Sequence, residues 1–256
     1  MVERRPGARR LLARPLARLL AAAIVLFARL ITAVRGVWVG TRPDDARRVY
    51  FANHTSHADV VLLWAVLPPR LRARTRPVAA ADYWLATAAR RFVGPEVFRA
   101  LAVERPDAAA SSGREDDRSE RGGRDGADGA DGAGGAPDPV AAMAAALDHD
   151  SLILFPEGTR NESGAPLLPF RDELFRLAAA RPGVELVPVW IANLNRVLPK
   201  GEFVPIPLVC TVTFGAPLGR VPDEAEASFL ARAERALLAL APGGRESGES
   251  LDGVAP

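Results

Sequence analysis

Apolar residues along the chain fall into short runs of strand length that alternate with longer segments of helical period. The runs at 47–52, 77–81, 100–104, 151–155, 185–191 and 207–214 predict strands, and the segments at 57–67, 82–92, 139–148, 171–180 and 223–240 predict helices, the last bounded by Pro222 and Pro242. Such alternation predicts an α/β fold: a single domain whose mixed, mostly parallel sheet is flanked by helices. Two stretches break the pattern. Residues 107–138 are rich in Gly, Asp, Arg and Ala and lack large apolar side chains. They cannot bury enough surface to offset their ordering entropy, so they read as a disordered insert within the domain. A tail over 243–256 reads the same way.

The other exception is the start of the chain. From Leu11 to Val39 it is apolar but interrupted by Arg14, Arg18, Arg29 and Arg35, and its longest uncharged run, Leu19 to Ala28, is far below a bilayer span of roughly twenty residues. At 100° per residue Arg10, Arg14, Arg18, Arg29 and Arg35 share one arc of the helical cylinder, with aliphatic residues on the rest. The expectation is an amphipathic helix within residues 1–40 that lies in a membrane interface, kinked or broken early by Pro15, with the guanidinium groups on an anionic surface. A secretory signal peptide is the alternative, and Arg29 and Arg35 stand where its cleavage site would fall. The folded domain would occupy 41–242, and the expected place of the protein is the cytoplasmic face of the cell membrane, as a peripheral or monotopic protein.

Charge sharpens this division. Residues 1–40 carry eight arginines against Glu3, a net of +7; the whole chain is +2, so the remainder is −5. The basic balance is local, and arginines interleaved with aliphatics suit a membrane helix better than a nucleic-acid arm. One cysteine, Cys210, excludes an intramolecular disulfide and reads as a buried, inert thiol in a strand.

Chemistry concentrates in two places. Asn53-His54-Thr55-Ser56-His57-Ala58-Asp59 follows a predicted strand and runs into a predicted helix. Five residues apart on one continuous helix, His54 and Asp59 would diverge by about 140°; they can meet only if the helix begins between them, with Thr55 or Ser56 as its cap. A histidine held by a carboxylate is suited to general-base work. The plainer reading is a capping box, Ser56-x-x-Asp59. The second place is Phe155-Pro156-Glu157-Gly158-Thr159-Arg160, where a strand ends in a polar turn; Gly158 admits close backbone approach and Arg160 offers a planar fork suited to phosphate.

Together, NHTSHAD and FPEGTR resemble the N-H-x-S-x-x-D and F-P-E-G-T-R blocks of the glycerolipid acyltransferase family, typified by the 1-acyl-glycerol-3-phosphate acyltransferases. A third family block is matched only in part by Arg99-Ala100-Leu101-Ala102-Val103-Glu104-Arg105, and a fourth by Val187-Pro188-Val189, which alone would read as an edge or bulged strand. The resemblance implies O-acyl transfer from an acyl thioester, carried by coenzyme A or acyl carrier protein, to the hydroxyl of lysophosphatidate in phospholipid synthesis. In it His54 is the base and Asp59 orients its imidazole. Arg160, with Gly158, Thr159 and Arg105, holds the acceptor's phosphate, and Glu157 orders the arginine or contacts the glycerol. No metal or organic cofactor is required. Other acceptors are open to the same blocks: glycerol 3-phosphate, another lysophospholipid or a glycolipid. A catalytically silent membrane-binding relative is a further alternative. A metal site built from His54, His57 and Asp59 is disfavoured, because His-x-x-His-x-Asp is not a zinc-helix spacing.

Overall fold

In the computed structural model, residues 8–81, 87, 91–103, 138–193 and 209–243 are described. A seven-stranded sheet has the order β1-β7-β6-β2-β5-β3-β4, from β1 (Arg35–Trp38), β2 (Arg48–Ala52), β3 (Thr75–Ala80), β4 (Leu101–Val103), β5 (Ser151–Leu154), β6 (Glu185–Ala192) and β7 (Thr211–Phe214). Every pairing is parallel except β6 with β7. The mixed, mostly parallel α/β sheet expected from the alternation is therefore present.

Parallel strands need cover on both faces, and the side-chain parity supplies it. All five residues of β2, Arg-Val-Tyr-Phe-Ala, are buried. Tyr50 and Ala52 point into one core with Ile153, Phe155, Val187, Val189 and Ile191, beneath helices α1 (Ala8–Thr32) and α2 (Asp59–Val66). Val49 and Phe51 point into the other with Leu152, Leu154 and Leu186, beneath α4 (Pro139–Ala146), α5 (Glu173–Ala180) and α6 (Glu226–Leu238). On α6 the buried residues Phe229, Ala233 and Leu237 recur every four positions, one stripe of the helix. A four-residue α3 (Pro69–Arg72) and a π-helical turn (Val93–Val97) complete the first layer. Helix α2 stops where it does because Leu67 precedes Pro68, which forces it to extended geometry (φ −61°, ψ 138°).

Four sequence expectations change. The sheet gains β1, a strand the hydropathy pattern had merged into the N-terminal segment. It is held by parallel pairing to β7 and by Trp38 stacking on Phe214 at 3.9 Å. Helix α1 runs through Pro15 without a break. Pro188 marks neither an edge nor a bulge, because β6 is interior; its missing N–H is tolerated where β7 ends, Phe214 pairing with Val189 and Gly215 N donating to Pro188 O at 2.9 Å. The arginine arc also dissolves at its end. Arg35 lies in β1, and Arg29 Nη2 donates to Ala65 O at 3.1 Å, so α1 is fastened to the domain. The expected helix at 82–92 falls largely outside the described residues, as do the insert apart from Asp138, and the tail beyond Gly243.

Phe214 joins these pieces, stacked on Trp38, edge-on to Tyr50 at 5.7 Å and fully buried. Phe214→Ala should cost about 3–5 kcal/mol, the range for a deleted core aromatic, and expose Trp38. Urea unfolding followed by tryptophan fluorescence checks it; a loss below about 1 kcal/mol would show that β1 does not depend on this stack.

Candidate active site

Adjacent parallel strands deliver their following loops to the same edge of the sheet, and β2 and β5 are neighbours, with Phe51 opposite Leu154. Both sequence blocks therefore converge there. Asn53 extends the β2–β6 ladder with its side chain: Oδ1 accepts from Ile191 N at 2.8 Å and Nδ2 donates to Ile191 O at 3.1 Å. That buried amide fixes the direction in which the chain leaves the sheet.

His54 comes next and is held from every side. Its N donates to Glu157 Oε1 at 2.7 Å, and its carbonyl accepts from Asn161 N at 2.7 Å. Its ring stacks on Phe155 at 4.3 Å, and Nδ1 lies 3.0 Å from Asp59 Oδ2. The same carboxylate oxygen accepts from Thr55 N at 2.6 Å and Ser56 N at 2.7 Å. An oxygen serving as acceptor to two backbone donors makes Nδ1 the proton-bearing nitrogen, which leaves Nε2 as the basic one. The imidazole is 17% exposed and Asp59 is fully buried, so the pair is open to substrate only on the histidine side.

The local helix start differs from the expected one. Neither hydroxyl caps α2; Ala58 is the N-cap residue and makes no side-chain capping bond. Instead Asp59, in the first turn, reaches backwards to the N–H groups of Thr55 and Ser56, while Ser56 Oγ accepts from Ala58 N at 3.3 Å. A carboxylate that had to approach the preceding imidazole was already placed to collect those two donors. Its other oxygen, Oδ1, is buried without a hydrogen-bond partner among the described residues, and Cys210, also fully buried, feels the Asp59 charge. Burial, with that charge as the lesser cause, pushes the Cys210 thiol up to about 11. The thiol is thereby kept protonated.

The β5 turn closes on itself through Gly158 N to Phe155 O at 3.0 Å, with Gly158 at φ +71°. Glycine is needed there twice over: the left-handed conformation favours it, and a Cβ would stand 2.2 Å from Arg171 Nε. Arg171, whose N donates to Pro156 O at 2.8 Å, is thus laid across the turn; sequence reading missed it, and the unoccupied side of Gly158 was the only available signal. Glu157 is buried and spends its oxygens on the backbone, Oε1 on His54 N and Oε2 on Leu168 N at 2.8 Å. Its geometry is that of a strut beneath the histidine. Arg160 is half-buried and pairs with Glu162 at 3.4 Å; Thr159 is exposed. Arg105 lies outside the described residues.

A family model for acyltransferases matches residues 39–192, more than half of the chain and a span containing both blocks. The chain belongs to the acyltransferase family. A solved relative in structure is the 1-acyl-sn-glycerophosphate (LPA) acyltransferase PlsC of Thermotoga maritima, at a TM-score of 0.57 and 17% identity, covering 92% of this chain and 82% of that one. At that identity the likeness speaks for a shared fold. No curated protein sequence matches the chain.

Within this acyltransferase, burial raises the Glu157 carboxyl above its ordinary value, against the lowering effect of its two backbone hydrogen bonds. A raised folded pKa means that the contribution to stability is full below the unfolded value near 4.5 and is lost as pH rises through the folded one. Glu157→Gln should remove that pH slope. It should also cost about 1–3 kcal/mol, since an amide offers one acceptor to two backbone donors. Urea titrations between about pH 4 and 7 measure both; an unchanged slope would dissociate Glu157 from the titration.

Proposed function

We propose that this acyltransferase moves a fatty acyl chain from an acyl thioester, of coenzyme A or acyl carrier protein, to the free hydroxyl of lysophosphatidate, with His54 as general base. The observation that carries the reading is the His54–Asp59 pair, with Nδ1 committed to a buried carboxylate and Nε2 left as the basic nitrogen. As the hydroxyl oxygen attacks the thioester carbonyl, its proton passes to Nε2. Asp59 stabilises the imidazolium and keeps the ring in one orientation. Collapse of the tetrahedral intermediate breaks the C–S bond, and the imidazolium returns the proton to the departing sulfur. The products are an ester and a thiol. Ser56, a backbone-directed hydroxyl, takes no acyl group in this scheme.

Arg160, with Gly158 and Thr159, and with Arg105 from the intervening segment, holds the acceptor phosphate beside this base. Charge alone would not suffice, because the reacting hydroxyl must be within hydrogen-bond reach of Nε2; a clamp on a rigid turn turns binding energy into orientation. The turn that carries Arg160 is the one bonded to both sides of His54, so clamp and base share a single support.

The substrate is amphiphilic, and the N-terminal helix suits its source. Residues Pro15–Thr32 have a mean hydropathy of 1.8, enough in length and composition to cross a membrane, where the uncharged run alone had pointed to a segment too short to do so. One face packs on the domain through Ala17, Val25 and Ala28, while Leu19, Leu26, Phe27 and Leu30 point outward and are 59–74% exposed. A helix fastened along the domain and apolar on its outer face fits a bilayer surface, lying in the interface of the cell membrane on the cytoplasmic side, where the thioesters are.

His54→Ala should lower turnover by about 10²–10⁴-fold with the fold and acceptor binding retained, and Asp59→Asn should be severely impaired, as judged by mass-spectrometric detection of the product lipid. Near-normal turnover by a folded His54→Ala protein would overturn the mechanism. For the clamp, Arg160→Ala should raise the acceptor's KM strongly and the donor's little. Equal effects on both substrates would reassign Arg160 to structure, and a screen of acceptors run alongside tests lysophosphatidate against glycerol 3-phosphate and other lysolipids.

A further inference from the structure

Two arginines far apart in sequence meet at the end of α2 opposite to the catalytic pair. Arg72, from α3, donates through Nε to Trp64 O at 3.1 Å and through Nη2 to Ala65 O at 3.0 Å and Leu67 O at 2.9 Å. Arg29, from α1, donates to the same Ala65 oxygen. Ala65 is six residues beyond Asp59, about 9 Å along the helix. Capping a helix C-terminus accounts for part of this arrangement, but a helix end carries only about half a negative charge, against two whole positive ones. Among the described residues neither guanidinium has a carboxylate within ion-pair distance. The mismatch shows in Arg72, whose pKa is lowered by burial and by the charge of Arg29.

A second observation points the same way. The Arg72 guanidinium lies over the Trp64 ring at 5.2 Å, so the indole face fixes the plane of the fork. Two guanidinium groups thus share one carbonyl, with no carboxylate between them among the described residues. Their position names the anion's carrier. At 100° per residue Arg29 falls on the flank of α1 between the face packed on the domain and the outward stripe of Leu19, Leu26 and Leu30, and Arg18 falls on the same flank. A phosphate at Arg29 and Arg72 would therefore have apolar helix surface beside it for acyl chains.

We propose that Arg29 and Arg72 form a phosphate-binding site for an anionic phospholipid of the bilayer, separate from the acceptor clamp, which seats α1 and the domain on the membrane in one orientation. The proposal rests on the membrane reading above and adds a defined site to it. General attraction to a charged surface depends on the number of basic groups, whereas a site built from planar forks depends on guanidinium geometry.

The test uses full-length protein and sedimentation with vesicles of phosphatidylcholine alone or with added phosphatidylglycerol. Wild type should prefer the anionic vesicles. Arg29→Lys and Arg72→Lys, which keep the charge and lose the fork, should each reduce that preference about fivefold, and the double variant should lose little more than either single one, because the two share one phosphate. Arg18→Lys should leave the preference intact. Thermal melting verifies the fold, and Arg29→Lys, on an exposed helix position, keeps the question answerable if Arg72→Lys is unstable. Undiminished preference in a folded Arg29→Lys protein would overturn the site while sparing the membrane reading. Failure of wild type to bind either vesicle would overturn both.

Discussion

The clasp of the β5 turn on His54 is the constraint to which the rest of the site is subordinate. The peptide before His54 is bonded at its N–H to Glu157 and the peptide after it at its carbonyl to Asn161, so the residue is fixed on both sides, and the ring stacked on Phe155 is held at a third point. All three contacts come from one segment about a hundred residues later in the chain. They exist only because β2 and β5 are parallel neighbours whose ends emerge on the same edge. The sheet order is thus a condition for a single side chain's orientation.

Holding the histidine this way requires two carboxylates in a largely dry environment. Each is tolerated for a different reason. Glu157 is raised by burial, and its two oxygens face two backbone donors that would otherwise lack acceptors. Asp59 concentrates three donors on one oxygen and leaves the other without a partner. Unsatisfied buried polar atoms are uncommon in folded proteins, and functional sites are where such a cost is expected.

Electrostatics also organises the outer side of the molecule. The arginines that composition grouped together serve separate ends: Arg35 belongs to a strand, Arg29 grips the end of α2, and Arg18 lies on the exposed flank of α1. Helix α2 consequently joins two clusters, with His54 and Asp59 at its beginning and the guanidinium groups of Arg29 and Arg72 on its last carbonyls. The same apolar helix is buried between α1 and the sheet, so the seat of α1 and the geometry at the histidine are set by one element.

Much of this was legible in residue order alone. Strand-length apolar runs, helical periodicity and their alternation determined a layered α/β fold, because burial on both faces of a sheet leaves a periodic trace. The His54–Asp59 spacing required a helix to begin between the two residues, and the structure has that break. What the sequence could not supply was anything settled by which strands become neighbours. β1 was hidden within an apolar segment, since four residues, two exposed and two half-buried, carry no period of their own; pairing with β7 and the Trp38–Phe214 stack create it. Pro188 read as an edge residue because the termination of β7 beside it is a tertiary event. Glu157 has its two backbone partners, His54 N and Leu168 N, from elsewhere in the fold, so its support of the histidine left no trace in residue order. Arg171 and Arg72 carried no signal of their own beyond the glycine at 158, because a guanidinium acquires its role from what it lies across: a missing Cβ in one case and a shared carbonyl in the other. Local periodicity and spacing belong to the chain, whereas partners distant in sequence belong to the order of the sheet.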